Sequence, residues 1–294
     1  MKRLLFRKST ALLWLITLTA VTSTGFSQKA SERTTKGGNI RLVYNYPTEV
    51  PVMYLNINKI TQSMDIQGQP IDVYVNSAFG CSVRQTGKDG NNLKLEIRVD
   101  TIGQIVDSPQ GYAGGAVSGV SGKLFNILIA PDGKEIDVSE AEKIVYNIEG
   151  SGETNVLSNF IDFFPDLPTG NIKPGDTWDS SDSIKTDSPS MSMKMVYSLV
   201  NKLEGIENFN GVECARITSE MTGTRSMSTM SQGMEIYTSG SFTGTGTMFF
   251  AINEGYFINQ TLSSKMTGNV EMYAPQAMTF PLVMDINSVI DVKK

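Results

Sequence analysis

Met191-Ser192-Met193-Lys194-Met195-Val196-Tyr197-Ser198-Leu199 places an apolar side chain at every second position. A β-strand turns successive side chains to opposite faces. The stretch therefore predicts a strand with Met191, Met193, Met195, Tyr197 and Leu199 on one face. The same period returns upstream. Over 93–99, Leu93, Leu95, Ile97 and Val99 share a face, with Lys94, Glu96 and Arg98 opposite. Over 71–75, Ile71, Val73 and Val75 do the same. The words between such runs are turn formers: Gly68-Gln69-Pro70, Gly87 to Asn91, Pro131-Asp132-Gly133 and Asn208 to Gly211. Short connections between alternating runs build antiparallel hairpins. The expected fold is mainly β, with one or more strongly curved antiparallel sheets.

Helix is scarce. Ser139-Glu140-Ala141-Glu142 has the form of a capping box. Residues 155–164 carry Val156, Leu157, Phe160, Ile161 and Phe164 at helical spacing before Pro165 and Pro168. One or two short helices are thus expected within 139–164. The Pro/Gly-rich crossing that follows separates two stretches of similar plan. Gly122, Ile127, Asp132, Gly133 and Ile136 answer to Gly244, Phe249, Glu254, Gly255 and Ile258 at a constant offset of 122. This predicts two related halves, 40–164 and 175–294, within a single β-rich body spanning 40–294. The competing reading is that any two Gly-turn hairpins look alike.

Residues 1–27 read as a signal peptide: Lys2, Arg3, Arg7 and Lys8, then an apolar run, then small residues up to Gly25-Phe26-Ser27. The run is about 11 residues, against the roughly 20 that span a bilayer. Residues 28–39 read as a flexible polar leader. The expectation is an exported chain, periplasmic or at the cell surface. It is expected to be soluble after cleavage and to have no transmembrane segment in the mature part.

The whole chain has 294 residues and a formal charge of −5, with 25 basic and 30 acidic residues. Removing 1–27 takes away four basic residues and no acidic one, so the mature chain carries −9. Such a surface repels phosphate backbones, which argues against nucleic-acid binding. There is no histidine, which removes the commonest general base, triad and zinc ligand. No cofactor is implied and no catalytic residue is nominated. The two cysteines, Cys81 and Cys214, leave two readings open. They could pair, which an oxidising compartment would permit, or remain two buried free thiols. Asp162, Asp166, Asp176, Asp179 and Asp182 are the carboxylates a hydrolase without histidine would use. Their spacing does not match a calcium loop.

Methionine is the unusual count. Of 15, twelve fall between 191 and 284. Thioethers fit irregular apolar shapes, so a sheet face rich in Met and aromatics could line a binding surface. The expected lining is Met191, Met193, Met195, Phe249, Ile252 and Phe257, with no metal. Trp178, after Lys173-Pro174-Gly175-Asp176-Thr177, is expected to anchor the crossing to the core.

Four words carry a resemblance: Phe26-Ser27-Gln28, Phe163 to Pro168 (FFPDLP), Lys173 to Trp178 (KPGDTW) and Gly244 to Gln260 (GTGTMFFAINEGYFINQ). Together they resemble an exported Bacteroidota protein family of unassigned function. The last word also resembles the curved-sheet carriers of the lipoprotein-localisation type, which implies a half-barrel with an apolar interior and a lid. The function expected first is a non-enzymatic binding protein for an apolar ligand such as a lipid. The alternatives are an envelope structural or protein-interaction module, its partner unidentified, and a carboxylate-dependent hydrolase.

Overall fold

A computed structural model describes residues 38–66, 68–109, 111–149, 152–160, 163–188, 191–231, 234–273 and 277–293. Residues 1–27, read as a signal peptide, and nearly all of the expected leader lie outside the described residues. Sixteen strands and one short helix follow in chain order. They are β1 (Ile40–Arg41), β2 (Val52–Ile66), β3 (Gln69–Asp89), β4 (Asn92–Ser108), β5 (Gly111–Ala116), β6 (Leu124–Ile129), β7 (Glu135–Asp137), α1 (Ser139–Glu142), β8 (Val145–Ile148) and β9 (Gly152–Asn155). After β9 come a 3₁₀ turn at Val156–Asn159, β10 (Asn171–Ile172), β11 (Thr177–Ser188), β12 (Met191–Phe209), β13 (Val212–Ser231), β14 (Met234–Ala251), β15 (Tyr256–Met272) and β16 (Met278–Lys293).

Twelve strands form one antiparallel sheet in the order β11-β12-β13-β14-β15-β16-β2-β3-β4-β6-β7, with β5 also paired to β4. Among the described residues β11 and β7 do not pair, so the sheet is open. Hairpins link neighbours at the expected turns. Asn210 and Gly211 both have positive φ, 54° and 90°, as a two-residue hairpin turn between right-twisted strands requires. The last strand, β16, closes onto the first long one, β2, with Ile286 opposite Ile60. The halves predicted at 40–164 and 175–294 are therefore joined edge to edge in one sheet. The strands do not confirm the expected repeat of plan. β6 and β7 have 6 and 3 residues, whereas the stretches matched to them lie in β14 and β15, with 18 and 17.

The matched turns do share one role. The N–H of Tyr44 donates to Pro131 O at 2.8 Å, and that of Asn45 donates to Gly255 O at 2.7 Å. Gly133 and Gly255 both have positive φ, and a Cβ on either would strike the 44–45 segment, at 2.7 and 2.9 Å. The two Gly turns thus grip the same piece of chain, and close approach explains why neither carries a side chain.

Two segments cross the inner face at this end of the sheet. One is 40–46, with Ile40, Leu42, Tyr44 and Tyr46 buried. The other runs through 156–167, with Phe160, Phe163 and Phe164 buried. β1, in the first, pairs with β10, which follows the second. Phe160 packs edge-on to Phe79 and Phe125, and Phe163 to Tyr54. The helix expected through 155–164 shortens to the single 3₁₀ turn, with Ile161 and Asp162 outside the described residues. An isolated helix of this length is marginal in water. Here its aromatics pack on one another and into the rings of the sheet and of the 40–46 segment instead. At α1, Ser139 is not the cap. Its N–H instead donates to Asp137 Oδ1 at 2.9 Å.

Candidate functional site

The inner face carries two apolar clusters. The first is the aromatic one just described. The second consists of Tyr197, Phe242, Met266, Val270, Leu282 and Met284, with Met64, Met195, Leu199 and Met221 among those packed against it. Every member sits on a strand of the sheet. Met266 is nevertheless only 2% exposed, so among the described residues it is the sheet, curling over its own inner face, that covers it.

Small side chains permit that curl. Gly240 and Gly268 stand opposite each other on β14 and β15. A Cβ on Gly268 would lie 1.9 Å from Ser239 O, and one on Gly240 would lie 2.4 Å from Thr267 O. The two strands could not bend together at this point with any other residue.

Cross-strand register shows how sharply the faces differ. Leu199, Met221, Gly244, Ser264, Ile286 and Ile60 form one row across β12 to β16 and β2. The next row outward-facing is Ser198, Thr222, Thr243, Lys265, Asp285 and Thr61. A membrane-spanning barrel turns its apolar residues outward to lipid. In these two rows the apolar residues face inward and the hydroxyls and charges outward, although Val196, Val200 and Val289 are exposed on the outer face. Two open depressions of about 430 and 390 Å³ lie across β12 to β16, and most of their lining side chains, Thr218, Thr245 and Ser226 among them, belong to the outer face.

Between the two inner clusters runs a polar belt. Asn201 Nδ2 donates to Ser180 Oγ at 3.1 Å, and Ser219 Oγ donates to Asn201 Oδ1 at 2.6 Å. Ser288 Oγ donates to Asn56 Oδ1 at 3.1 Å. These bonds satisfy groups that would otherwise be costly on an apolar face.

The expected lining does not form one surface. Met191, Met193 and Met195 share the inner face of β12, with Met195 in the second cluster. Ile252 and Phe257 are fully buried in the aromatic cluster, where Phe257 touches Tyr54 and Phe163. Phe249 lies one step out of phase, on the outer face, stacked on Phe209 at 4.0 Å. Period-2 counting gives the face within a strand. It does not give which end of a 17-residue strand is covered.

Cys81 and Cys214 are free, which corrects the paired reading. They sit on β3 and β13, which are separated in the sheet by β14, β15, β16 and β2. Burial pushes both thiols up, Cys214 to about 11, so neither is a ready nucleophile. Trp178 packs against the aromatic cluster and its Nε1 donates to Asp166 O at 3.2 Å, tying β11 to the crossing. The Asp166 carboxyl is pushed up by burial first, then by the charges of Asp132 and Asp182. Asp162 lies outside the described residues.

Sequence reading missed one residue. Arg225 stands on β13 between Gly223 and Met227, opposite Met195 on β12 and Gly240 on β14, and so on the inner face. Its signal was legible: a charged residue at an odd position of Met221-Thr222-Gly223-Thr224-Arg225-Ser226-Met227 occupies the phase of the apolar face.

No family model matches the chain, and no curated protein matches it. Among solved structures it is similar to Pseudomonas aeruginosa OccK2 (OpdF) in complex with glucuronate, at 6% identity and a TM-score of 0.25, over 85% of this chain and 100% of that one. It is also similar to Pseudomonas aeruginosa OpdQ, at 8% identity and a TM-score of 0.23, over 82% and 98%. Acinetobacter baumannii OccAB4 gives 8% identity and a TM-score of 0.18, over 84% and 98%. Likenesses at TM-scores this low carry no weight for the site.

Proposed function

We propose that the chain is an exported, non-enzymatic binding protein for an apolar ligand such as a lipid, working in the periplasm or at the cell surface. The observation that carries this reading is the second inner cluster. It is apolar and rich in methionine, and among the described residues no crossing segment fills it as 40–46 and 156–167 fill the first. Met64, Met195 and Met221 are only part-buried there. Unbranched thioether side chains can re-pack around a guest, so a ligand would enter by displacing them rather than by filling a preformed hole. The ligand surface taken from water supplies the driving force, about 25 cal/mol per Å². The open edge strand β11 carries Asp179, Asp182, Lys185 and Asp187. Charges of this kind blunt strand addition, which weighs against an interaction module that works by edge pairing.

The test is to export the protein in its own envelope, purify it without detergent, extract it with organic solvent and identify the extract by mass spectrometry. Near-stoichiometric lipid is expected. An extract free of apolar molecules, from protein that also fails to bind a long-chain alcohol added back, would sink the reading.

A further inference from the structure

Arg225 does not belong in an apolar wall without a reason. Arg84, Arg98 and Arg216 each stand beside a carboxylate, at 2.7, 2.8 and 3.4 Å, and Arg41 is exposed to water. Arg225 has neither. Its guanidinium is enclosed by the surrounding chain, although part of the residue's surface still meets solvent. Its one polar contact among the described residues is Nη2 to the Met227 thioether sulfur, at 3.6 Å, a weak acceptor for a cation.

The ground around it is specific. Arg225 shares a cross-strand row with Met195, Gly240, Gly268, Leu282 and Met64. The row holds no acidic residue. Its two nearest neighbours on the β14 side have no side chains, so bare backbone forms the floor next to the guanidinium. The next row places Tyr197, Gly223, Phe242, Met266 and Met284 on the inner face, with Asp182 only at the far edge on β11. Five donors in a planar fork thus face the apolar inner side of the sheet, with nothing of matching charge beside them among the described residues. Burial lowers the pKa of this guanidinium, yet arginine keeps its proton in proteins, so the missing partner is an anion.

We propose that the ligand is an amphiphile with an anionic oxygen headgroup, a carboxylate or a phosphate ester, which pairs with Arg225 while its chain lies against the methionine-rich inner face. The proposal rests on the apolar-binding reading and adds the headgroup. A charge-assisted, bidentate contact in a partly desolvated site separates an acid from a neutral analogue of equal length by about tenfold or more.

The test uses the full chain and three probes: oleate, oleyl alcohol and inorganic phosphate. Binding is measured by calorimetry at alkaline pH for the wild type, Arg225→Gln and Arg225→Lys. The wild type is expected to bind oleate at least about tenfold tighter than the alcohol. Arg225→Gln should bring oleate down to the alcohol without moving the alcohol's Kd, and Arg225→Lys should keep most of the preference. Equal wild-type affinity for oleate and alcohol would overturn the headgroup and leave the apolar reading standing. Binding of neither would overturn both. Phosphate held as tightly as oleate, and released by Arg225→Gln, would replace the amphiphile with a free-anion site. If Arg225→Gln fails to fold, the wild-type oleate-to-alcohol ratio and the lysine variant still decide the matter.

Discussion

One sheet carries two unlike ends. At the first, two segments distant in sequence lie across the inner face, and aromatic rings pack between them and the sheet. Tyr54, Phe160, Phe163 and Phe257 are at most 2% exposed. Edge-on aromatic contacts fix each ring in a defined place. At the other end the same strands continue past a hydrogen-bonded polar belt, and methionine replaces the aromatics. Among the described residues that end is covered only by its own curvature, and several of its side chains stay part-exposed. The difference separates a core from a surface that can re-pack. Dense interiors made of rigid rings resist change, whereas a thioether wall tolerates varied shapes.

The largest effect should come from a ring at the filled end. Phe257→Ala is expected to cost about 3–5 kcal/mol, because the surrounding rings cannot collapse into the hole. Met195→Ala at the other end should cost about 1 kcal/mol or less, since that side chain is only part-buried. Both are read from urea unfolding midpoints. Equal losses would mean that the second cluster is as rigid as the first, and the comparison would break.

The curl that closes the second cluster is tested next. Gly268→Ala would place a methyl 1.9 Å from Ser239 O, so a loss of about 1–3 kcal/mol is expected. Gly87→Ala in β3 meets nothing within 4 Å and should be near neutral. A neutral Gly268→Ala would show that the two strands have room to part, and that the curl is not held there.

The smallest effect sits at the rim of the filled end. Burial and two neighbouring acids raise the pKa of Asp166. An acid whose folded-state pKa lies above its unfolded value disfavours the folded state once ionised. That cost is absent below the ordinary carboxylate range near 4, grows as pH rises through the raised pKa, and is complete above it. Asp166→Asn should therefore stabilise at neutral pH, by a fraction of a kcal/mol since water screens a part-exposed group, and change nothing in acid. Thermal melts at both pH values check this. A variant less stable at neutral pH would give Asp166 a supporting role instead.

Much of the fold was legible in the residues. Leu93, Leu95, Ile97 and Val99 are all at most 2% exposed, as their alternation predicts. Gly90-Asn91 and Asn210-Gly211 turn where turns were expected. The candidate site was legible only in part. Met191, Met193 and Met195 share the face assigned to them. Phe249, Ile252 and Phe257 scatter, because their word crosses a strand end, a tight turn and a register shift between Phe249 and Phe250. The expected helix at 155–164 followed a helical spacing that the tertiary packing of Phe160, Phe163 and Phe164 overrode.

By itself the sequence determined which residues share a face, since the direction of each Cβ along a strand is a local property of the backbone. It also marked Arg225 as a charge in the apolar phase. Only the tertiary structure decided which end of that face is plugged and which is left to close on itself. That choice rests on contacts between residues far apart in the chain, such as Asn45 with Gly255 and Ile286 with Ile60, and local pattern holds no information about them.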